Sequence, residues 1–123
     1  NDNDVFLLGY NIFDRIAKEG RKYGVLLGLI SQRPNEISET CVSQCNNYLI
    51  YKITHPNDLE YIAKVIPDIT KEMVERIKSI QPGYALAFGN AFNIPVLTYL
   101  DMPSPAPDSS STKIDSIWFN SAI

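Results

Sequence analysis

Six consecutive residues, Val25-Leu26-Leu27-Gly28-Leu29-Ile30, carry no polar side chain and end in Ser31-Gln32-Arg33-Pro34. A strand with one wet face alternates apolar and polar residues, whereas an unbroken apolar run is the pattern of a strand buried on both faces, as in a parallel sheet. Pro34 has no amide N–H to give and cannot extend such a strand at the centre of a sheet. The run therefore predicts a buried parallel strand over 25–30. It is far too short to cross a bilayer, which takes roughly 20 residues. No N-terminal stretch has the charged-then-apolar layout of a signal peptide, so a cytoplasmic protein without membrane contact is expected.

The elements around that strand follow from periodicity. The polar start Asn1-Asp2-Asn3-Asp4 reads as a loop before Val5-Phe6-Leu7-Leu8. Ile12, Phe13, Ile16, Ala17, Gly20 and Tyr23 recur with a helical period, with Arg15, Lys18, Glu19 and Lys22 opposite them. Gly20 lies in the apolar stripe, where a missing side chain permits close packing, and Gly24 suits a C-cap. A short helix is predicted over Ser38 to Cys45 and a second strand over Tyr48 to Ile53. Pro56 and Asn57 open a helix carrying Leu59, Ile62, Ala63 and Ile66, with Asn57 and Glu60 spaced as a capping box, and Pro67 stops it. Thr70 reads as the next N-cap, before an inner face of Met73, Ile77 and Ile80. Gln81-Pro82-Gly83 turns the chain into strands over Tyr84 to Phe88 and Ile94 to Leu100, joined as a hairpin through Gly89 to Asn93. From Pro103 the composition changes: Pro103, Pro105 and Pro107 lead into a serine-rich stretch that ends in Ile114, Ile117, Trp118 and Phe119. This divides the chain into a core over 1–102 and a Pro/Ser-rich tail over 103–123 with an apolar terminus.

Helices alternating with a buried-type strand argue for an α/β sheet. With 123 residues there is room for one domain or a piece of a larger one. Only one strand reads as central and nothing covers its other edge, so the pattern is that of the later half of a larger α/β domain, with apolar edges that self-association would cover. The net charge of −3 excludes a generally basic, nucleic-acid-coated surface but not a local basic patch. Cys41 and Cys45, four residues apart, are read as buried reduced thiols that fit a reducing compartment; two ligands do not close a structural zinc site, and no metal site is predicted.

Ligands of open α/β sheets gather at the carboxyl ends of the strands. Ser31, Gln32 and Arg33 sit at such an end, where a glutamine can orient water or sense a phosphate; the competing reading is that they only satisfy the turn before Pro34. Arg21 and Lys22 form a second candidate, because a guanidinium fits phosphate oxygens and stays charged. Their competing role is a solvated basic pair at a helix C-terminus. His55, the one histidine, has no partners spaced for a triad and reads as a turn residue, and the carboxylates fall mostly on outer helix faces. Neither G-x-x-x-x-G-K-[ST] nor G-x-G-x-x-G occurs, so this chain alone is not expected to hold a nucleotide as a P-loop does.

The run Ile16-Ala17-Lys18-Glu19-Gly20-Arg21-Lys22-Tyr23-Gly24-Val25 followed by Leu29-Ile30-Ser31-Gln32-Arg33-Pro34 resembles the HerA branch of the HerA/FtsK P-loop ATPases. Val42-Ser43-Gln44-Cys45-Asn46, Asn57 to Ile62, Pro82 to Ala87 and Ile94-Pro95-Val96 extend the resemblance over residues 10–100. It implies an α/β fold, namely the C-terminal portion of a RecA-like P-loop NTPase core that is incomplete, with the Walker A and Walker B elements expected upstream of Asn1. The implied parent is an ATP hydrolase and DNA translocase or helicase that uses ATP and Mg2+, forms a homo-oligomer, typically a hexameric ring around DNA, and commonly works with a nuclease. This piece by itself would be inactive and free of nucleotide. Residue by residue, the resemblance makes Arg21 the arginine finger acting on a neighbouring subunit's γ-phosphate and Gln32 the sensor near the attacking water. Lys22, Arg33 and Asn46 would lie near the nucleotide. Two other readings stand beside it: a non-enzymatic interaction module that docks through its tail, and a fragment of a conjugation or secretion ring ATPase. A P-loop upstream would favour the motor over the module, and a transmembrane segment there the transport ring.

Overall fold

A computed structural model of the chain describes residues 12–108. The readings of Val5 to Leu8 and of the apolar terminus at Ile114 to Phe119 lie outside the described residues. A helix over 12–19, α1, tightens into a 3-10 turn, Gly20–Tyr23, closed by Gly24 in the left-handed conformation at φ 70°. A second 3-10 turn, Pro34–Glu36, precedes α2 (Glu39–Ser43). Then come β1 (Asn47–Ile50), α3 (Pro56–Val65), α4 (Lys71–Lys78), β2 (Tyr84–Gly89) and β3 (Val96–Tyr99). Gly20 is buried because a Cβ there would sit 3.3 Å from both Ile16 and Val25, so the turn closes tightly on the chain that leaves it.

The sheet has the order β1-β2-β3, and both pairings are antiparallel. Tyr48 pairs with Phe88 and Ile50 with Leu86, and these four side chains share the face covered by α3 and α4. Ile62 and Ile77 are the largest fully buried side chains, with Ile77 at 0% exposure. Around them close Leu59, Val65, Met73 and Ile80. Thr70 caps α4 as the sequence predicts, its hydroxyl accepting from the Met73 N–H at 3.2 Å. The capping box expected at Asn57 and Glu60 is not formed: His55 is the N-cap of α3, Pro56 takes the first helical position, and no side chain caps the helix. The mixed order of helices and strands fits an α/β fragment.

The largest departure from the sequence reading is the segment 25–30. It pairs with no strand among the described residues, so the expected buried parallel strand is not formed among them. Leu26 is 97% and Ile30 101% exposed, while Leu27 and Leu29 are half-buried. The physical reason is plain: a parallel strand needs neighbours on both edges and layers on both faces, and the described residues supply neither. The second strand likewise stops at Ile50 rather than Ile53, and α2 spans fewer residues than Ser38 to Cys45.

Asp14 fastens α1 to α2. Its Oδ1 accepts from the Ser38 hydroxyl at 2.7 Å and the Cys41 thiol at 3.2 Å, and these bonds, Ser38 first, hold its carboxyl below the ordinary range. Both cysteines are free, Cys41 buried and Cys45 half-buried. Burial, reinforced by Asp14, pushes the Cys41 thiol up to about 11, and burial pushes Tyr48 up to about 12. A thiol with a raised folded pKa contributes stability that is intact below its ordinary value of 9.0 and is lost as pH climbs through 11. The chain is therefore expected to melt at progressively lower temperature from about pH 9 upward, and Cys41→Ala should flatten that fall between pH 9 and 10, below the range where Tyr48 contributes. Thermal melts at stepped pH check this; an identical fall in the variant contradicts it.

Candidate functional site

Two contacts set the loop after segment 25–30 onto α3. The Asn35 N–H donates to Asp58 Oδ1 at 3.2 Å, and the Tyr61 hydroxyl donates to the Ile37 carbonyl at 2.6 Å. Asp58 is the buried charged residue of the core, 3% exposed, and it stands in the first turn of α3, where the helix dipole favours a carboxylate. Ser31 acts as the local reading of the turn expects, its hydroxyl accepting from the Arg33 N–H at 3.0 Å.

This arrangement leaves an open recess of about 230 Å3 between the loop, the stretch Lys52 to Thr54 that follows β1, and the start of α3. Gln32 and Arg33 line one side; Lys52, Thr54 and His55 line the other, with Asp58 at its wall. His55 Nδ1 lies 3.8 Å from Asp58 Oδ2, and its side chain is 53% exposed. Arg33 Nε stands 3.9 Å from Glu36 in a loose, exposed pair of little energetic weight. Lys52 has no carboxylate partner among the described residues. The cavity thus gathers two permanent cations and an imidazole around one carboxylate that is itself engaged by Asn35. Such a lining suits a small polyanion.

Gln32 and Arg33 therefore come together. Arg21, Lys22 and Asn46 do not line this cavity. Arg21 and Lys22 are exposed on the Gly20–Tyr23 turn and have no ion pair among the described residues. Asn46 is exposed, and its backbone carbonyl accepts from the Asn90 N–H at 2.9 Å, tying the entry of β1 to the hairpin loop. The sequence reading did not single out Lys52, took His55 for a turn residue and passed over Asp58 among the carboxylates. The rule that ligands gather at strand carboxyl ends gives no signal for Lys52 through His55, because it holds for parallel sheets and β1 pairs antiparallel. Among the described residues, no group of three or more His, Cys, Asp or Glu side chains is placed to hold a metal ion, and no helix is long and apolar enough to cross a membrane.

No family model matches the chain. Curated relatives do. It is 40% identical over 86 residues to a DNA double-strand break repair helicase HerA from Pyrococcus furiosus, covering 70% of this chain and 16% of that protein. It is 40% identical over 89 residues to a probable helicase of Methanocaldococcus jannaschii, covering 72% of this chain and 17% of the relative. With the HerA of Saccharolobus solfataricus it shares 38% identity over 88 residues, 72% of this chain and 18% of that one. The chain spans about a sixth of the length of these curated relatives. This chain is a HerA-type relative, matched over about seven-tenths of its own residues.

Proposed function

We propose that this chain is the later part of an ATP-driven DNA translocase or helicase of HerA type, acting within a RecA-like core and a ring of like subunits. The observation that carries this reading is the identity of 36–40% to HerA helicases over most of the chain. The exposed apolar segment 25–30 supports it, because an apolar run with Leu26 and Ile30 bare is a strand awaiting sheet neighbours. In the parent those neighbours would come from segments other than the ones described.

In this reading Gln32, at the carboxyl end of that strand, orients the attacking water. Arg33 and Lys22 supply positive charge nearby, Asn46 shapes the neighbouring loop, and Arg21 reaches the phosphates held by the adjacent subunit. The cationic lining of the cavity fits the phosphates of ATP. Among the described residues no group of three or more His, Cys, Asp or Glu side chains is placed to hold Mg2+. ATP supplies the phosphoryl transfer whose free energy drives movement; the chain's own part is to position water and offset charge. DNA is the proposed substrate in the parent, and a nuclease its proposed partner.

The test is ATP hydrolysis by the full-length parent with and without duplex DNA. Turnover should rise with DNA, and Gln32→Ala should lower kcat by about 10²-fold with KM little changed. A parent that hydrolyses no ATP, or whose turnover ignores both DNA and Gln32, contradicts the proposal.

A further inference from the structure

We infer that Asp58 is a positioning residue: its buried carboxylate, by accepting from the Asn35 N–H, fixes the loop that presents Gln32. This rests on the ATPase reading above, in which Gln32 orients the attacking water, and adds to it a residue that the family resemblance does not name. Asp58 is 3% exposed, and burying a carboxylate is costly unless its oxygens find donors. An acid in the first turn of a helix ordinarily gains from the free amides of that helix. The hydrogen bond Asp58 makes runs instead to a backbone amide 23 residues earlier in the chain. Its other oxygen is 3.8 Å from His55 Nδ1, too far for a hydrogen bond. The Asn35 amide is therefore the donor that holds this carboxylate among the described residues.

The hold on Asn35 reaches Gln32 through a stiff piece of backbone. Asn35 is the middle residue of the 3-10 turn Pro34–Glu36, in which the Glu36 N–H donates to the Arg33 carbonyl and the Ile37 N–H to the Pro34 carbonyl, each at 3.0 Å. Pro34 locks its own φ. The bond from the Arg33 N–H to the Ser31 hydroxyl, 3.0 Å, ties together the two residues that flank Gln32. Gln32 thus moves with the turn as one unit. That unit is fastened to α3 twice, by Asp58 at Asn35 and, one helical turn on, by the Tyr61 hydroxyl at the Ile37 carbonyl. The helix is the rigid partner, because Leu59 and Ile62 between these two residues and the next turn belong to the core. Gln32 itself is exposed, and its side chain makes no hydrogen bond among the described residues, so the backbone beneath it sets where its amide lies. Misplacing an orienting group by an ångström costs up to about a hundredfold in rate. Losing one of two fastenings should cost about tenfold.

The test is a double-substitution cycle on ATP turnover by the full-length parent with duplex DNA, using the parent, Asp58→Ala, Gln32→Ala and the two together. Asp58→Ala should lower kcat about tenfold with KM for ATP little changed, and by less than about threefold once Gln32 is already alanine. A residue that only holds the fold slows both backgrounds alike. A further loss of about threefold or more in the Gln32→Ala background therefore overturns the inference, as does an Asp58→Ala parent within about threefold of the unsubstituted protein. Asp58→Asn keeps an oxygen for the Asn35 N–H and gives up the charge, so it should recover most of the lost turnover. An asparagine variant as slow as the alanine one would mean that the charge and not the hydrogen bond matters, which also overturns it. If a thermal melt shows Asp58→Ala unfolded, Tyr61→Phe replaces it in the cycle, because it releases the same turn at Ile37, and the same comparison decides. Losses that multiply leave the ATPase reading standing, since turnover still depends on Gln32; a parent indifferent to Gln32 removes both.

Discussion

Arg21→Ala is expected to cut ATP turnover in the full-length parent by about 10³-fold, with the protein folded and DNA binding retained. Arg21 stands on the Gly20–Tyr23 turn, unburied and with no ion pair among the described residues, so removing it opens no cavity and strands no partner. A structural arginine would show the opposite: a carboxylate against it and a stability loss on truncation. What the substitution removes is a guanidinium able to offset the charge that develops on a transferred phosphoryl group, and 10³-fold corresponds to about 4 kcal/mol of transition-state stabilisation. Arg21→Lys should recover little, because an ammonium is a point charge and lacks the planar fork. If turnover of the alanine variant stays within a factor of about three of the parent, Arg21 is a surface cation and the finger assignment ends.

The second large effect is on folding. Gly89 closes β2 at φ 127°, a conformation L residues rarely adopt. A Cβ added there would collide with the Asn46 carbonyl oxygen and come within 2.7 Å of Asn47 Cα. Both obstacles are backbone, so neither can swing aside, and both belong to the entry of β1, which pairs through Asn47 with Gly89 itself. Strain and overpacking together make Gly89→Ala cost about 3–5 kcal/mol, a large share of what holds a domain this size together. Gly28→Ala is the contrasting variant, because a Cβ at Gly28 meets nothing within 4 Å. Denaturant unfolding should show Gly89→Ala largely unfolded in buffer and Gly28→Ala indistinguishable from the parent sequence. Equal stability of the two would mean that β1 and β2 meet differently.

Much of the fold could be read from the residues. Thr70 announced its cap by its place before a hydrophobic face, Gly24 announced the end of the first helix, and Gly89 to Asn93 announced a hairpin, although its second strand starts at Val96 and not at Ile94. These are local devices whose partners lie a few residues away. The segment 25–30 forms no strand among the described residues because an apolar run reports what a stretch of chain would bury, not whether a neighbour is present to bury it. The cap of α3 was misread for a related reason: Asn57 and Glu60 have the right spacing, but Pro56 at the first helical position moves the cap back to His55. The site was half legible. Gln32 and Arg33 stand at a strand end by sequence alone, whereas Lys52, His55 and Asp58 join them only through the contacts of Asn35 and Tyr61 with α3 and its loop, which cross more than twenty residues of sequence.

The proposed role of this segment is to complete an ATP site belonging to the neighbouring subunit. Mixing two inactive forms of the parent tests it most directly: one carrying Arg21→Ala, the other unable to bind ATP through its own phosphate loop. If Arg21 acts across the boundary, mixed assemblies contain interfaces that pair an intact loop with an intact arginine, and part of the turnover returns. If the mixture stays as inactive as either form alone while mixed oligomers are shown to form, Arg21 serves its own subunit or none, and the claim is contradicted.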